Sequence, residues 1–128
     1  MIHNEGWWFT QVGQHIERAD KTSRILDVRH ENLPERGAPR IISQTEALEW
    51  SAVLHSCSGW DAYKSIHGAE VNPVLVAQFL LLNEEFPRSV EFCVAELNRA
   101  LRRISGVSEG KFCNAAEKLA GRLVAELQ

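Results

Sequence analysis

From Glu5 to His30 the small and apolar residues Trp8, Val12, Ile16, Ala19, Ser23 and Leu26 return at steps of three and four. A chain that turns once every 3.6 residues places such positions on one stripe, whereas a half-buried strand would alternate with period two. The spacing predicts a helix over 5–30 whose Trp8–Leu26 stripe faces a core. Asn4 stands where an N-cap is needed, and Glu5 suits the positive helix end. No stretch of the chain alternates convincingly enough to make a strand.

The remaining segments are punctuated as helices. Ser43-Gln44-Thr45-Glu46 has the form of a capping box, in which the serine oxygen accepts from the amide at Glu46 and Glu46 reaches back. The helix behind it carries Leu48, Trp50, Val53, Leu54 and Cys57 and stops at Gly59. A short helix over 60–67 ends at Gly68, a residue free to take positive φ. Asn72-Pro73 supplies an N-cap and a proline at the first helical position. The helix over 73–83 is apolar nearly all round, so it is expected at the centre of the fold, with Leu81 and Leu82 buried. Pro87 is read as opening the next helix, to about Ser105, with Val90, Val94, Leu97, Leu101 and Ile104 in one narrow arc and Gly106 as its stop. Asn114 to Glu117 forms another capping box, and the last helix carries Leu119, Leu123, Val124 and Leu127. Residues 31–42 hold Pro34, Gly37 and Pro39 and read as an exposed connection. The expected architecture is all-α, a bundle of about six helices in one domain.

A chain of 128 residues buries roughly 65–70% of its unfolded surface on folding. With 45% hydrophobic and 24% charged residues, it has the material for a core. A formal net charge of −3 offers no broad attraction for nucleic acid or anionic lipid. The apolar run from Val74 to Leu82 falls far short of the ~20 residues that span a bilayer. His3, Asn4 and Glu5 do not open a signal peptide. Cys57, Cys93 and Cys113 make an odd count without CxxC spacing, which fits reduced thiols and a cytoplasmic location.

No metal, cofactor or catalytic group is expected. The five histidines do not fall in a metal-ligand spacing, and neither a GxSxG elbow nor a phosphate-binding glycine loop is present. His55 and Cys57 are too close in sequence to face each other on a helix. What remains is charge on the first helix. Glu17, Lys21 and Arg24 lie roughly opposite the core stripe, with Asp20 and Asp27 at its border. Glu17–Lys21 and Asp20–Arg24 are acid-first i, i+4 pairs, which surface pairing explains. Read functionally, Asp20, Arg24 and Asp27 line a polar cleft that also draws in Glu17, Arg18 and Arg88. Carboxylates set beside an arginine hold a cation, an ammonium group or a substrate carboxylate. Arg88, placed in a first helical turn where the dipole disfavours a cation, calls for an acidic partner. Arg99, Arg102 and Arg103, interrupted by Glu91 and Glu96, read as a solvated face rather than a nucleic-acid surface.

The runs Glu5-Gly6-Trp7-Trp8-Phe9 and Ile16-Glu17-Arg18-Ala19-Asp20-Lys21-Thr22-Ser23-Arg24-Ile25-Leu26-Asp27-Val28-Arg29-His30 resemble the bacterial alpha-E domain family, named for its helical character and its Glu-Arg motif. Ala47-Leu48-Glu49-Trp50, Trp60-Asp61-Ala62-Tyr63, Phe86-Pro87-Arg88-Ser89-Val90 and Ala116-Glu117-Lys118-Leu119-Ala120 fit the same likeness. Alpha-E proteins are usually longer, so the resemblance is to a C-terminal part, and the chain is expected to be a fragment of a longer protein. The resemblance implies no settled activity. It implies neighbours, an ATP-grasp amide-ligase-like protein and a transglutaminase-like or peptidase-like protein, and hence a place in making or modifying a peptide. The expected function is a non-catalytic accessory or interaction module. The alternative is an enzyme or small-ligand binder using the carboxylate–arginine cleft.

Two further places look unfinished. Val28 lies almost opposite the Trp8–Leu26 stripe, with Ile25 well off it, and Phe92 lies opposite the Val90–Leu101 arc. Ile25, Val28 and Phe92 are therefore expected at an interface, with a missing part of a longer protein or with a second copy in a homodimer.

Overall fold

The computed structural model describes residues 4–29, 42–106 and 115–127. Among them are six α-helices and no strand: α1 Glu5–Arg29, α2 Gln44–Ser56, α3 Trp60–His67, α4 Pro73–Leu82, α5 Val90–Ser105 and α6 Ala115–Leu127. Cys113, Asn114 and most of the 31–42 connection lie outside the described residues.

The caps that the sequence advertises are made. Asn4 Oδ1 accepts from the Trp7 amide at 3.0 Å, and Ser43 Oγ accepts from Glu46 N at 3.1 Å. Asn72 Oδ1 takes the amides of Val74 and Leu75 at the head of α4. Each satisfies donors that have no partner within the helix. Gly106 closes α5 at φ 74°, ψ 12°. Gly68 closes α3 at φ 76°, ψ −164°, a region that only glycine occupies without strain. One boundary differs from the sequence reading. Pro87 does not open α5; Pro87 and Arg88 lie in a turn, and Ser89 is the cap, its hydroxyl accepting from Phe92 N at 3.1 Å.

The apolar core gathers around α2, α3 and α4. Trp50, Leu54, Tyr63, Val76 and Leu80 have no solvent exposure, and Leu26 and Ile25 of α1 pack against them. Phe79 and Phe86 stack with centroids 4.7 Å apart. Gly59 lies against the pair, so a Cβ there would stand 3.0 Å from Phe86 Cζ. The Tyr63 hydroxyl donates to Glu70 O at 3.0 Å and accepts from Asn72 N at 3.3 Å, which ties α3 to the start of α4.

The central place expected for α4 is observed: it meets α1, α2, α3 and α5, while α5 meets α1, α4 and α6. Two expectations about burial are corrected. On α4, Leu81 is partly buried and Leu82 is 45% exposed, while Val76, Phe79 and Leu80 carry the core. On α1 the inward face is centred on His15, Thr22 and Leu26, and Ile16 and Ser23 of the expected stripe are exposed. At 3.6 residues per turn that is a rotation of roughly 60°. It follows from the partner: α1 packs chiefly on α5, and the residues that fit there are a histidine and a threonine, while Phe9 and Ile16 are left outside. Ile25 turns into the core by the same rotation.

Candidate functional site

The rotation of α1 decides which of its charged residues share a site. Gln14, Glu17, Arg18, Lys21 and Thr22 of α1, Ser56 and Cys57 at the end of α2, and Arg88 before α5 line one cavity of about 250 Å³. Glu17, Arg18 and Arg88 of the expected cleft are thereby brought together. Asp20, Arg24 and Asp27 are not. Asp20 and Arg24 form a solvent-exposed pair at 2.9 Å, and Asp27 is exposed away from the cavity. Glu17 and Lys21, the other i, i+4 pair, make no ion pair within 4.0 Å; both border the cavity instead.

Arg88 is held through its backbone. Thr22, 2% exposed, donates its hydroxyl to the Arg88 carbonyl at 2.8 Å, a bond between residues 66 positions apart. Ser89 fixes the same turn from the other side by donating to Asn83 O while it caps α5. The acidic partner expected for the Arg88 side chain is absent among the described residues. Arg88 precedes the helix rather than lying in its first turn, and it lines the cavity. Arg18 is steadied by Gln14: with the amide oxygen turned toward the guanidinium, it accepts from Nη2 at 2.6 Å and Nη1 at 3.1 Å. Among the described residues the site therefore carries three cationic side chains, Arg18, Lys21 and Arg88, against the one carboxylate of Glu17.

Burial pushes the Cys57 thiol above its ordinary range, more than the Thr22 hydroxyl, Lys21 and Arg88 draw it down. Burial likewise pushes Cys93 up to about 11, against the pull of Arg18 and Arg88. A protonated thiol is a poor nucleophile. His55 does not assist: it stacks on Trp60 at 4.9 Å. Among the described residues no three His, Cys, Asp or Glu side chains converge to hold a metal ion. Sequence reasoning passed over Lys21, Thr22, Ser56 and Cys57 as site residues. The signal available was the i, i+4 repeat Gln14-Arg18-Thr22, visible only once the phase of α1 is known.

A family model described as a predicted alpha-helical domain with a conserved ER motif, Alpha-E, matches residues 1–128. The chain belongs to the Alpha-E family. Glu17-Arg18, the Glu-Arg pair on which the resemblance rested, stands on the wall of the cavity. No curated protein and no solved structure matches the chain. No helix of the described residues is long and apolar enough to cross a membrane.

The residues expected at an interface part company. Val28 is 78% exposed. Ile25 belongs to the core. Phe92 is half-buried with its ring 6.2 Å from that of His15, so α1 covers part of the face that the helical wheel left open.

Proposed function

We propose that this Alpha-E domain is a non-catalytic accessory module for peptide or amide-bond chemistry, and that the α1 cavity holds a carboxylate presented to it. One observation carries the reading: among the described residues, Arg18, Lys21 and Arg88 gather around one cavity with a single carboxylate among them, and Arg88 has no ion pair. A half-buried guanidinium without a counter-charge is costly to leave empty and selects a planar oxyanion, which it meets with two parallel hydrogen bonds. At about 250 Å³ the cavity is smaller than a drug-sized pocket. It suits the end of a chain or one acidic side chain better than a whole cofactor. The high-lying thiol of Cys57 and the absence of a base beside it favour holding over reacting. The partners in this reading are the ATP-grasp-like and transglutaminase-like proteins that the family resemblance implies. Val28, left bare on α1, is where either of them or a second copy would touch.

The test is calorimetric. A dipeptide with a free C-terminal carboxylate should bind, the same dipeptide as its C-terminal amide should not, and Arg88→Gln should weaken the first by at least about tenfold. Equal affinity for acid and amide, or an Arg88→Gln variant that binds as the parent does, would sink the proposal.

A further inference from the structure

Glu91 stands out among the charged residues because it is 7% exposed and has no hydrogen bond or ion pair among the described residues. It lies one residue past the start of α5, in a second cavity of about 250 Å³ lined by Glu84, Glu91, Phe92, Ala95 and Glu96. Glu84 has no partner there either, and Glu96 is paired with Arg99. Burial, and then the neighbouring charge of Glu84, push the Glu91 carboxyl above its ordinary range. The helix N-terminus works the other way and favours the anion. Two carboxylates without a partner among the described residues thus share a concave site with an aromatic ring, and no described residue lining it is a cation.

We propose that this pocket receives the guanidinium head of an arginine side chain, Glu91 and Glu84 accepting its N–H groups and the Phe92 ring forming one wall. The geometry argues for an organic cation rather than a metal ion. Among the described residues no three carboxylates, thiols or imidazoles converge as a metal needs, and hard cations take six or more oxygens. A planar guanidinium needs two carboxylate oxygens on one edge and is attracted to the face of an aromatic ring. The volume of about 250 Å³ fits one side-chain head. The site is separate from the α1 cavity, shares no lining residue with it, and stands or falls independently of the carboxylate reading.

The probe is N-acetyl-arginine methylamide, with its citrulline counterpart as the neutral shape-matched control, titrated into the whole chain and followed by amide NMR and calorimetry. The arginine derivative should shift the amides of Glu84, Glu91 and Ala95 saturably, and the citrulline derivative should leave them in place. Glu91→Gln should weaken binding by at least about tenfold. Because Glu91 is desolvated as an anion, the glutamine variant should melt no lower than the parent at neutral pH, which keeps a loss of binding from being a loss of fold. Glu84→Gln, at an exposed position, should weaken binding in the same direction. Citrulline binding as well as arginine, shifts centred elsewhere, or calcium chloride saturating these amides without competition from the arginine derivative would each overturn the proposal.

Discussion

Thr22→Val tests whether the fold and the α1 cavity are joined at one hydroxyl. Valine keeps the shape of threonine and removes the hydroxyl that donates to the Arg88 carbonyl at 2.8 Å and also stands against the Cys57 thiol. A buried hydrogen bond contributes about 0.5–1.5 kcal/mol net, and a carbonyl left without its donor costs about 1–3 kcal/mol. With Thr22 at 2% exposure, little water replaces the lost donor, and the expected loss is about 1–3 kcal/mol. For a domain of this size that corresponds to a fall in Tm of roughly 4–12 °C. Thr22→Ser is the control. It keeps the hydroxyl and loses one methyl group, about 0.8 kcal/mol of transfer energy. Stability alone separates the two variants poorly, so affinity for the carboxylate probe is the second readout. Valine frees the turn that aims Arg88 and should weaken binding several-fold; serine should not. A valine variant whose Tm falls by less than about 2 °C, or two variants that lose affinity equally, would show that the Thr22 hydroxyl does not position the site.

Four other outcomes follow from the same coordinates. Leu80→Ala, at a fully buried position, should cost about 2–5 kcal/mol in denaturant unfolding, whereas Leu82→Ala, at 45% exposure, should cost well under half as much. Gly68→Ala, forced to φ 76°, ψ −164°, should cost about 1–3 kcal/mol although the space around it is open. His15 is held below its ordinary value of 6.5, mainly by burial. Its contribution is present above that value and is lost as pH falls through 6.5 toward the folded pKa, so unfolding curves from pH 7.5 to 5 should show a decline that His15→Gln flattens. Cys57 and Cys93 should resist alkylation in the native chain at pH 8 and react on unfolding, since burial holds both thiols protonated.

The helices were legible because their ends are chemical. Asn4, Ser43 and Asn72 sit at caps whose side-chain oxygens satisfy amides three residues on or nearer, and Gly68 and Gly106 sit where φ is positive. Such signals depend on a few neighbouring residues and survive without knowledge of the fold. The start of α5 was misread because Pro87 and Ser89 are both credible starters, and only the bond that Ser89 Oγ accepts from Phe92 N shows which one caps. Burial was less legible because it belongs to pairs of helices. A wheel assigns each helix one inward face. α5 has neighbours on three sides, so Glu91 and Cys93, far apart on its circumference, are both buried.

The consequence for the site is carried by the polar residues of α1. An apolar stripe drawn through Trp8 and Ile16 leaves His15 and Thr22 on its flank and throws Asp20, Arg24 and Asp27 together as the candidate cleft. The inward face of α1 instead carries His15, whose ring approaches Phe92 of α5, and Thr22, whose hydroxyl reaches Arg88 in the turn before α5. Polar residues at a helix–helix contact contribute nothing to a hydrophobic pattern, yet a buried hydroxyl needs a partner. The bond from Thr22 to the Arg88 carbonyl fixes the rotation of the helix there, whereas His15, among the described residues, bonds only to Gln11 on its own helix. Once α1 is turned that way, Asp20 and Arg24 point to solvent and neutralise each other, while Gln14, Arg18 and Lys21 swing to the wall beside Arg88. A pattern-based search for paired opposite charges therefore finds the residues that already satisfy one another. The residues with charge to spare are those whose partners lie elsewhere in the chain or on a ligand, and Arg88 and Glu91 are both of that kind.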